Sequence, residues 1–509
     1  MERKTQPILM SDEQIREFIV NGYIVLQPSV PESLHETISA KLTKVLGEGA
    51  NPGNNVLPRV PEMRHILNCP EVQGALISIL GEDYIEHPHR YCHHLGPASE
   101  PPADLEERVK ANCHQDAYTP SGRPRQYYLR YARVMYYPQD TPLALGPTHV
   151  IPGTQFHKGL TDEDRGRALP MEGKAGTVSL THFDVGHAAG VNTINKPRHM
   201  IKFIYTRGSE PKTPSWDCNN TVWQKPHDIQ SPDDLELAWS HVWDWMCGKR
   251  NRYESAQGNG GASTNGNLSQ LIADLDSDDH AVRVSALYTL GLIGEPAIEP
   301  LMAKLQEAGV REDEHPAPRP WNEGAILMED AAHALAAVGT PAVDPLIDAL
   351  NAPSEWVRIN AAFALGEMDS HATNAVPDLA KSLDDSSHRV IRTATDSLGC
   401  IQQNLDAYIP NLSRLLVESR AGWDEALTRG WIVQDGVRTN AAMAFARLGA
   451  NASEATDVLL QALDDPCGHV SAFAMDALKR INSPRATEAM FEYLQAQRWD
   501  ESINKDRQY

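Results

Sequence analysis

Two histidines and one aspartate are spaced so that they could hold a metal ion. Asp116 follows His114 by two residues, and His187 lies further along the chain. Side chains at i and i+2 of a strand point to the same side, so His114 and Asp116 can grip one ion together. Two imidazoles and one carboxylate are the ligand set that holds Fe(II) on one face and leaves the opposite positions open for oxygen chemistry. The pattern predicts a metal site made of His114, Asp116 and His187.

Arg198 is the next residue with a chemical role. It lies 198 − 187 = 11 residues after His187, and the span Ala188–Pro197 is rich in turn-forming residues. We therefore expect Arg198 on the following strand. A guanidinium is a rigid two-pronged cation, which suits the free carboxylate of a dicarboxylic cosubstrate.

Further motifs surround these residues. They are Ser11-Asp12-Glu13-Gln14, Asn21-Gly22-Tyr23-Ile24-Val25-Leu26, Gly146-Pro147-Thr148-His149-Val150-Ile151-Pro152-Gly153-Thr154-Gln155 and His187-x-x-Gly190-x-Asn192-x(5)-Arg198. Together with the H-x-D motif of His114 and Asp116, they resemble the phytanoyl-CoA dioxygenase family of Fe(II)/2-oxoglutarate oxygenases over about the first half of the chain. Gln155 stands where His is usual in that family, and Ala189 stands where some members place a cosubstrate-contacting Ser.

The resemblance implies a double-stranded β-helix, a jelly-roll (cupin-like) barrel with flanking helices. It also implies that 2-oxoglutarate chelates the iron while Arg198 pairs with its far carboxylate, and that O2 is the oxidant. The expected reaction is hydroxylation of a small molecule. Asp116 fills the place that halogenating relatives leave to halide, so halogenation is disfavoured, whereas desaturation, epimerisation and ring closure stay open.

Other polar residues have two possible roles. Tyr131, Arg133 and Met135 alternate along a predicted strand, so they share the face that looks into the barrel. Arg133 meets the cosubstrate or an acidic substrate, or else forms a salt bridge at the barrel edge. Asn192 holds its turn through the backbone or reaches the pocket. We count Tyr131, Arg133 and Asn192 with Arg198 as candidate cofactor-binding residues.

A second H-x-D competes with the first. His182 and Asp184 have the same spacing, with His199 downstream. The 199 − 184 = 15 residues that separate Asp184 from His199 barely allow the chain to cross a barrel. We therefore favour the first set and expect His182 and Asp184 on the loop leading to His187.

Composition limits the partners and the location. The net charge of −22 over 509 residues argues against nucleic acid or an anionic membrane surface as a general partner. No apolar stretch has the length of a membrane span, and no secretory signal is visible. Seven scattered cysteines without a C-x-x-C pair are typical of a reduced, cytoplasmic protein, and Cys113 is expected to pack.

A repeat fills the second half of the chain. An apolar motif with Ala-rich helix positions recurs six times, with the markers Leu290, Leu335, Leu365, Leu398, Phe445 and Leu478, and three of the six begin with Val-Arg. Each period predicts a helix pair that buries its faces only by stacking, which is the logic of an α-solenoid. The pattern resembles HEAT repeats. We therefore expect a multidomain α+β chain: an oxygenase domain (1–253), a Gly/Asn/Ser-rich linker (254–267), an all-α HEAT solenoid (268–497) and a polar tail (498–509).

Tryptophans mark two kinds of segment. Trp239, Trp243 and Trp245 have helical spacing and predict core packing in a closing helix. Insertions near 306–325 and 418–435 interrupt the repeats and carry the tryptophans Trp321, Trp423 and Trp431. These insertions either shape the substrate entrance of the barrel or cap local helix contacts.

Two functions remain open at this point. The first is an Fe(II)- and 2-oxoglutarate-dependent hydroxylase acting on a small molecule. The second is an interaction protein whose solenoid binds a protein partner or carrier, with the barrel auxiliary. Repeat solenoids present extended surfaces suited to such partners.

Overall fold

The computed structural model describes residues 6–99, 102–116, 125–249, 268–316, 326–427 and 430–497. The chain divides into two compact units. The first comprises Met1–Asp116, Gln126–Arg207 and Pro211–Gly248, and the second comprises Ala117–Arg125, Gly208–Glu210 and Lys249–Tyr509. The expected linker 254–267, the tail 498–509 and Trp321 lie outside the described residues.

The first unit combines helices with antiparallel strands. Its strands are β1 (Tyr23–Leu26), β2 (Ile85–Leu95), β3 (His114–Gln115), β4 (Tyr131–Tyr136), β5 (Thr148–Ile151), β6 (Leu169–Pro170), β7 (Val178–His182), β8 (Gly186–Ala189) and β9 (Arg198–Thr206). Its helices are α1 (Asp12–Asn21), α2 (Glu32–Gly47), α3 (Val56–Arg59), α4 (Met63–Leu67), α5 (Pro70–Leu80), α6 (Leu105–Asn112), α7 (Asp162–Gly166) and α8 (Glu236–Met246).

The strands form two sheets. The first has the order β1-β7-β4-β9-β2 and the second has the order β3-β8-β5-β6. Neighbouring strands run antiparallel in both sheets. The expected β-rich domain is present, but no ladder joins the two sheets in the described part of the chain, so the expected closed barrel is not formed there. β3 and β6, the edge strands of the second sheet, have two residues each.

Strand register decides which side chains face the second sheet. Met135 pairs with Lys202 and Arg133 pairs with Ile204 across β4 and β9. Because side chains alternate along a strand, the even-numbered residues of β9, from Arg198 onward, share one face with Arg133 and Met135. Residues of both sheets meet there in one buried cluster of Met135, Tyr137, Val150, Met171, Val185 and Met200.

Local signals at the chain start act as expected. Ser11 and Gln14 form a capping box that begins α1. Gly22 ends the helix with φ 78°, a left-handed conformation that favours glycine, and β1 follows at once.

The tryptophan-rich helix α8 packs as predicted. Trp239, Trp243 and Trp245 are all buried. Trp243 lies against Trp216 with ring centroids 5.1 Å apart, and Trp245 stacks on Tyr128 at 4.5 Å. These contacts confirm the core-packing interpretation of the segment.

The second unit consists of stacked helix pairs. The pairs in the described residues are His280–Ile293 with Ile298–Glu314, Asp330–Val338 with Val343–Ala349, Glu355–Glu367 with Val376–Ser382, His388–Ile401 with Ile409–Val417, Val433–Leu448 with Thr456–Gln461, and Gly468–Ile481 with Pro484–Gln497. A short helix, Leu268–Asp274, precedes them. None of the helices in the described ranges is both long and apolar enough to cross a lipid bilayer.

Small residues and buried ion pairs hold successive pairs together. A Cβ on Gly366 would lie 2.4 Å from Oγ of Ser397 in the next pair, so only glycine permits this approach. The repeated Val-Arg motif supplies Arg283, whose Nη1 donates to Oδ1 of the buried Asp330 at 2.6 Å. The stacking that the repeat pattern predicted therefore rests on identifiable contacts.

The tryptophans of the second insertion contact their own unit. Arg420 lies over the ring of the buried Trp423, 4.9 Å from its centroid. Trp431 packs against His469 with ring centroids 4.9 Å apart. These contacts favour the interpretation in which the insertion caps local helices.

Candidate metal site

The register of the second sheet brings the three candidate metal ligands together. β3 runs antiparallel to β8 with His114 opposite His187, and the two rings lie 4.4 Å apart. Asp116 follows β3 directly and points to the same side as His114. One ligand atom from each of the three residues lies within 4.8 Å of the others.

Backbone carbonyls fix which nitrogen of each histidine is available. Nδ1 of His114 lies 2.8 Å from the carbonyl oxygen of Asn112, and Nδ1 of His187 lies 3.1 Å from that of Val185. Because a carbonyl oxygen only accepts, each Nδ1 carries a proton, and Nε2 is the nitrogen of each ring that is left for a metal. Both Nε2 atoms lie 3.8 Å from an oxygen of Asp116. Two imidazole nitrogens and one carboxylate oriented in this way fit a divalent metal ion.

Charges around Asp116 keep it ionised. Burial alone would raise its pKa, but the guanidinium of Arg133 and the ammonium of Lys202 outweigh burial and hold the pKa well below the ordinary 3.8. Nη2 of Arg133 and Nζ of Lys202 each lie 3.5 Å from Oδ2 of Asp116. Burial and the same guanidinium also hold the pKa of His187 well below its usual range, so its imidazole is neutral. Both residues are thus in the protonation state that metal binding requires.

Side-chain amide and hydroxyl groups hold the ligand-bearing strands in place. Nε2 of Gln115 donates to the carbonyl oxygens of Thr154 (2.8 Å), Asp184 (3.1 Å) and His157 (3.2 Å). The hydroxyl of Thr154 accepts from the amide nitrogen of Gly186 at 2.8 Å, at the start of β8. The turn after β5 therefore braces both strands that carry metal ligands.

Arg198 begins β9 on the inner face, as the turn-rich spacing predicted. It is 2% exposed, and its Nε and Nη1 have no hydrogen-bond partner within the described residues. Burial lowers its pKa, which the nearby Tyr137 and Cys92 partly counteract. A buried guanidinium with unmatched donors is the group that a carboxylate would satisfy.

The other two candidate cofactor ligands are placed differently. The amide nitrogen of Asn192 donates to the carbonyl oxygens of Leu95 (3.1 Å) and Lys196 (2.6 Å), and its Oδ1 accepts from the backbone of Ile194. These bonds support the alternative in which Asn192 holds its turn, and not a cofactor-binding role. Its side-chain amide is already engaged by the backbone of its own turn.

Tyr131 lies at the opposite end of β9 from Arg198. It pairs with Thr206 and packs in an apolar cluster with Phe183 and Ile204. The structure thus does not bring Tyr131 together with Arg198. Arg133, in contrast, lies directly against the metal ligands.

The competing H-x-D does not assemble. Nδ1 of His182 accepts from the backbone nitrogen of Asp184 at 3.1 Å. His199 lies on the other face of β9, where its Nε2 is 3.1 Å from the hydroxyl of Thr43 on α2. Strand alternation therefore separates His199 from His182 and Asp184.

Two residues near the site were not singled out from the sequence. Lys202 lies on the same face of β9 as Arg198, and His93 on β2 pairs with Met200. Burial, together with Lys202 and Arg198, lowers the pKa of His93 to about 3. Alternation along β9 from Arg198 was the available signal for Lys202. The pairing of β2 with β9 had no signal in the sequence.

A separate cavity of about 590 Å³ lies beside α6. It is lined by residues that include Val109, Leu143, His149 and Pro170, and by no member of the metal triad. His149 and Val150 point to opposite faces of β5, and Val150 is the one in the cluster between the sheets. The cavity therefore lies on the other side of the second sheet from the metal ligands.

Comparison with known families assigns both halves of the chain. Residues 40–200 match the family model described as phytanoyl-CoA dioxygenase (PhyH). Residues 40–200 form a phytanoyl-CoA dioxygenase domain. HEAT repeats follow it, matched at 327–399 and 343–424, with PBS lyase HEAT-like repeats at 282–307 and 437–465. The phytanoyl-CoA dioxygenase domain thus includes the H-x-D, His187 and Arg198, and it belongs to an oxygenase family.

Solved structures similar to the chain include non-heme enzymes. The alpha-ketoglutarate-dependent carbocyclase SnoK from nogalamycin biosynthesis is 17% identical, with 40% of this chain and 88% of that chain covered and a TM-score of 0.31. The non-heme monooxygenase ThoJ is 17% identical, with 48% of this chain and 98% of that chain covered and a TM-score of 0.28. AviO1 from Streptomyces viridochromogenes is 14% identical, with 38% of this chain and 95% of that chain covered and a TM-score of 0.30. No curated protein sequence matches the chain significantly.

Proposed function

We propose that the chain is an Fe(II)- and 2-oxoglutarate-dependent oxygenase that hydroxylates an unactivated C–H bond of a small molecule, with release of succinate and CO2. The observation that carries the proposal is the triad. Nε2 of His114 and Nε2 of His187 each lie 3.8 Å from an oxygen of Asp116, and the unmatched guanidinium of Arg198 lies on the inner face of the same unit. We assign residues 1–253 to this oxygenase domain, 254–267 to a linker, 268–497 to the solenoid and 498–509 to a tail.

Each residue of the candidate site has a defined role in the proposed reaction. His114, Asp116 and His187 would hold the iron, and Arg198 would pair with the far carboxylate of 2-oxoglutarate. When bound, iron with 2-oxoglutarate and O2 supplies the oxidising chemistry that replaces C–H by C–OH. Gln115 keeps the ligand strand against the turn after β5. The carboxylate of Asp116 occupies the ligand position that a halide would need, which favours hydroxylation over halogenation.

Succinate formation tests the proposal. The full chain is supplied with Fe(II), 2-oxoglutarate and O2, and candidate small molecules are added one at a time. We expect slow 2-oxoglutarate turnover without substrate, stimulation by the right class of molecule, and loss of both in His187→Ala. Absence of metal binding and of turnover in the wild type would overturn the proposal.

A second function is supported by the HEAT repeats. Stacked helix pairs present extended surfaces that bind proteins. We propose that the solenoid binds a protein partner or carrier, which could deliver the substrate. A chain ending before residue 254 would then keep its affinity and rate for a free small molecule but lose the partner in pull-down experiments. Loss of small-molecule turnover in the shortened chain would instead assign the solenoid a part in catalysis.

A further inference from the structure

Arg133 contacts two of the three proposed metal ligands. Its Nη1 lies 3.0 Å from Nε2 and 3.2 Å from Nδ1 of His187, and its Nη2 lies 3.5 Å from Oδ2 of Asp116. An arginine carries its charge at any ordinary pH. A permanently charged side chain therefore contacts Nε2 of His187 and Oδ2 of Asp116, the atoms that a metal ion would use.

The guanidinium is anchored where it stands. Arg133 is fully buried. Its Nη2 donates to the carbonyl oxygen of Phe183 at 2.6 Å, and its charged carbon lies 5.3 Å from the centroid of the Phe183 ring. These contacts do not involve the metal ligands, so they can persist when a metal binds. The positive charge would then remain within a few ångströms of the ion.

Lys202 adds a second cation to the same carboxylate. Its Nζ lies 3.5 Å from Oδ2 of Asp116, and the residue is buried. A metal must therefore compete with two side chains for Asp116. It must also approach two positive charges in a setting where water screens poorly.

We propose that the pair of Arg133 and Lys202 makes metal binding conditional on an anion. The pair neutralises Asp116 in the metal-free protein, weakens the binding of metal on its own, and supplies positive charge to an anion bound beside the metal. The inference rests on the proposed function, in which that anion is 2-oxoglutarate. By linkage, metal and dicarboxylate raise each other's affinity by the same factor, so they load together.

Calorimetry on the full chain tests the inference, with Co(II) as an oxygen-insensitive probe for Fe(II). Co(II) affinity is measured with and without 2-oxoglutarate for the wild type, Arg133→Met and Lys202→Met. Each variant is expected to bind Co(II) alone at least tenfold more tightly than the wild type. The increase in Co(II) affinity that 2-oxoglutarate causes should shrink by a similar factor. Arg133→Lys keeps the charge and should stay closer to the wild type than Arg133→Met does.

Arg207→Met is the matched control. Arg207 is also buried, but its Nη2 donates to the carbonyl oxygen of Ile79, away from Asp116. Its Co(II) affinity should equal that of the wild type. If Arg133→Met does not fold, Lys202→Met decides the outcome alone. Unchanged or weaker Co(II) binding in the folded variants, with metal still bound by the wild type, would overturn this inference alone. Absence of Co(II) binding in the wild type and in every variant would overturn the proposed function instead.

Discussion

The side-chain amide of Gln115 donates to the carbonyl oxygen of Thr154 at 2.8 Å. Gln115 lies between His114 and Asp116, so this bond joins the segment that carries both proposed ligands to the turn that follows β5. Since Gln115 points away from the two ligands that flank it, the residue can hold them in place without touching the metal.

We expect Gln115→Ala to weaken metal binding several-fold while leaving the chain folded. The change removes the shared donor of three carbonyl oxygens, and a lost buried hydrogen bond costs about 1–3 kcal/mol. Gln139→Ala is the control, because the Gln139 amide also donates to a hydroxyl and a carbonyl but lies outside the triad. Calorimetry with Co(II) measures both. Equal metal affinity in Gln115→Ala and Gln139→Ala would contradict the bracing role.

The triad itself gives the second prediction. His114→Ala, Asp116→Ala and His187→Ala should each lose stoichiometric iron and 2-oxoglutarate turnover, because each removes one of three ligands. The helical signal of the second unit should be unchanged. His182→Ala should retain iron, since His182 is not among the three clustered ligands. The assignment fails if metal analysis finds equal iron in the wild type and in Asp116→Ala.

Removal of the Arg198 charge should separate cosubstrate binding from metal binding. Losing a buried charge-assisted pair costs about 2–5 kcal/mol. We therefore expect Arg198→Met to bind 2-oxoglutarate well over tenfold more weakly in the presence of Co(II), with the metal retained. Arg198→Lys should recover only part of the affinity, because a point charge lacks the two-pronged geometry. Unchanged 2-oxoglutarate affinity in Arg198→Met would remove Arg198 from the proposed role.

A buried histidine predicts a pH effect on stability. Burial alone would lower the pKa of His157, but Asp164 (3.2 Å from Nδ1) and Asp233 (2.7 Å from Nε2) outweigh burial and raise the pKa above 6.5. The raised folded-state pKa means that this stabilisation is fully present below pH 6.5 and is lost as the pH rises through the folded value. The free energy of unfolding of His157→Gln should therefore differ most from the wild type in mildly acidic urea titrations, and least in alkaline ones. The same change at the exposed His227 is the control.

The ion pair between the first two helix pairs predicts a local effect on the solenoid. Arg283→Met removes the guanidinium that pairs with the buried carboxylate of Asp330, at a cost of about 3–5 kcal/mol. The thermal transition of the solenoid should fall. Adding Asp330→Leu should recover much of the loss, because two apolar side chains can replace a buried pair. A double variant as unstable as Arg283→Met would show that shape rather than charge holds this position.

Much of the fold and of the candidate site could be predicted from the sequence alone. The i and i+2 spacing of His114 and Asp116, the turn-rich span before Arg198 and the Val-Arg repeat are local patterns, and local patterns survive folding. The capping box at Ser11 is another. In each case the deciding interaction lies within a few residues along the chain.

The roles of Arg133 and Asn192 could not be predicted, because they depend on packing between elements that lie far apart in the sequence. Alternation indicates the inner face of β4, but whether Arg133 meets a cosubstrate or an acidic substrate, or forms a salt bridge at the barrel edge, depends on how that face meets β8, which no spacing reports. The role of Asn192 was open for the same reason, because the carbonyl oxygen of Leu95 that it binds belongs to a strand 97 residues away.

The three proposed ligands are unequally covered. The side chain of His114 is 55% exposed, whereas those of Asp116 and His187 are 14% and 11% exposed. If these residues hold iron, a chelator in the solvent would reach it from the His114 side, because that ligand is the most exposed of the three. A molecule that covers His114 would slow the exchange of iron with the surrounding pool.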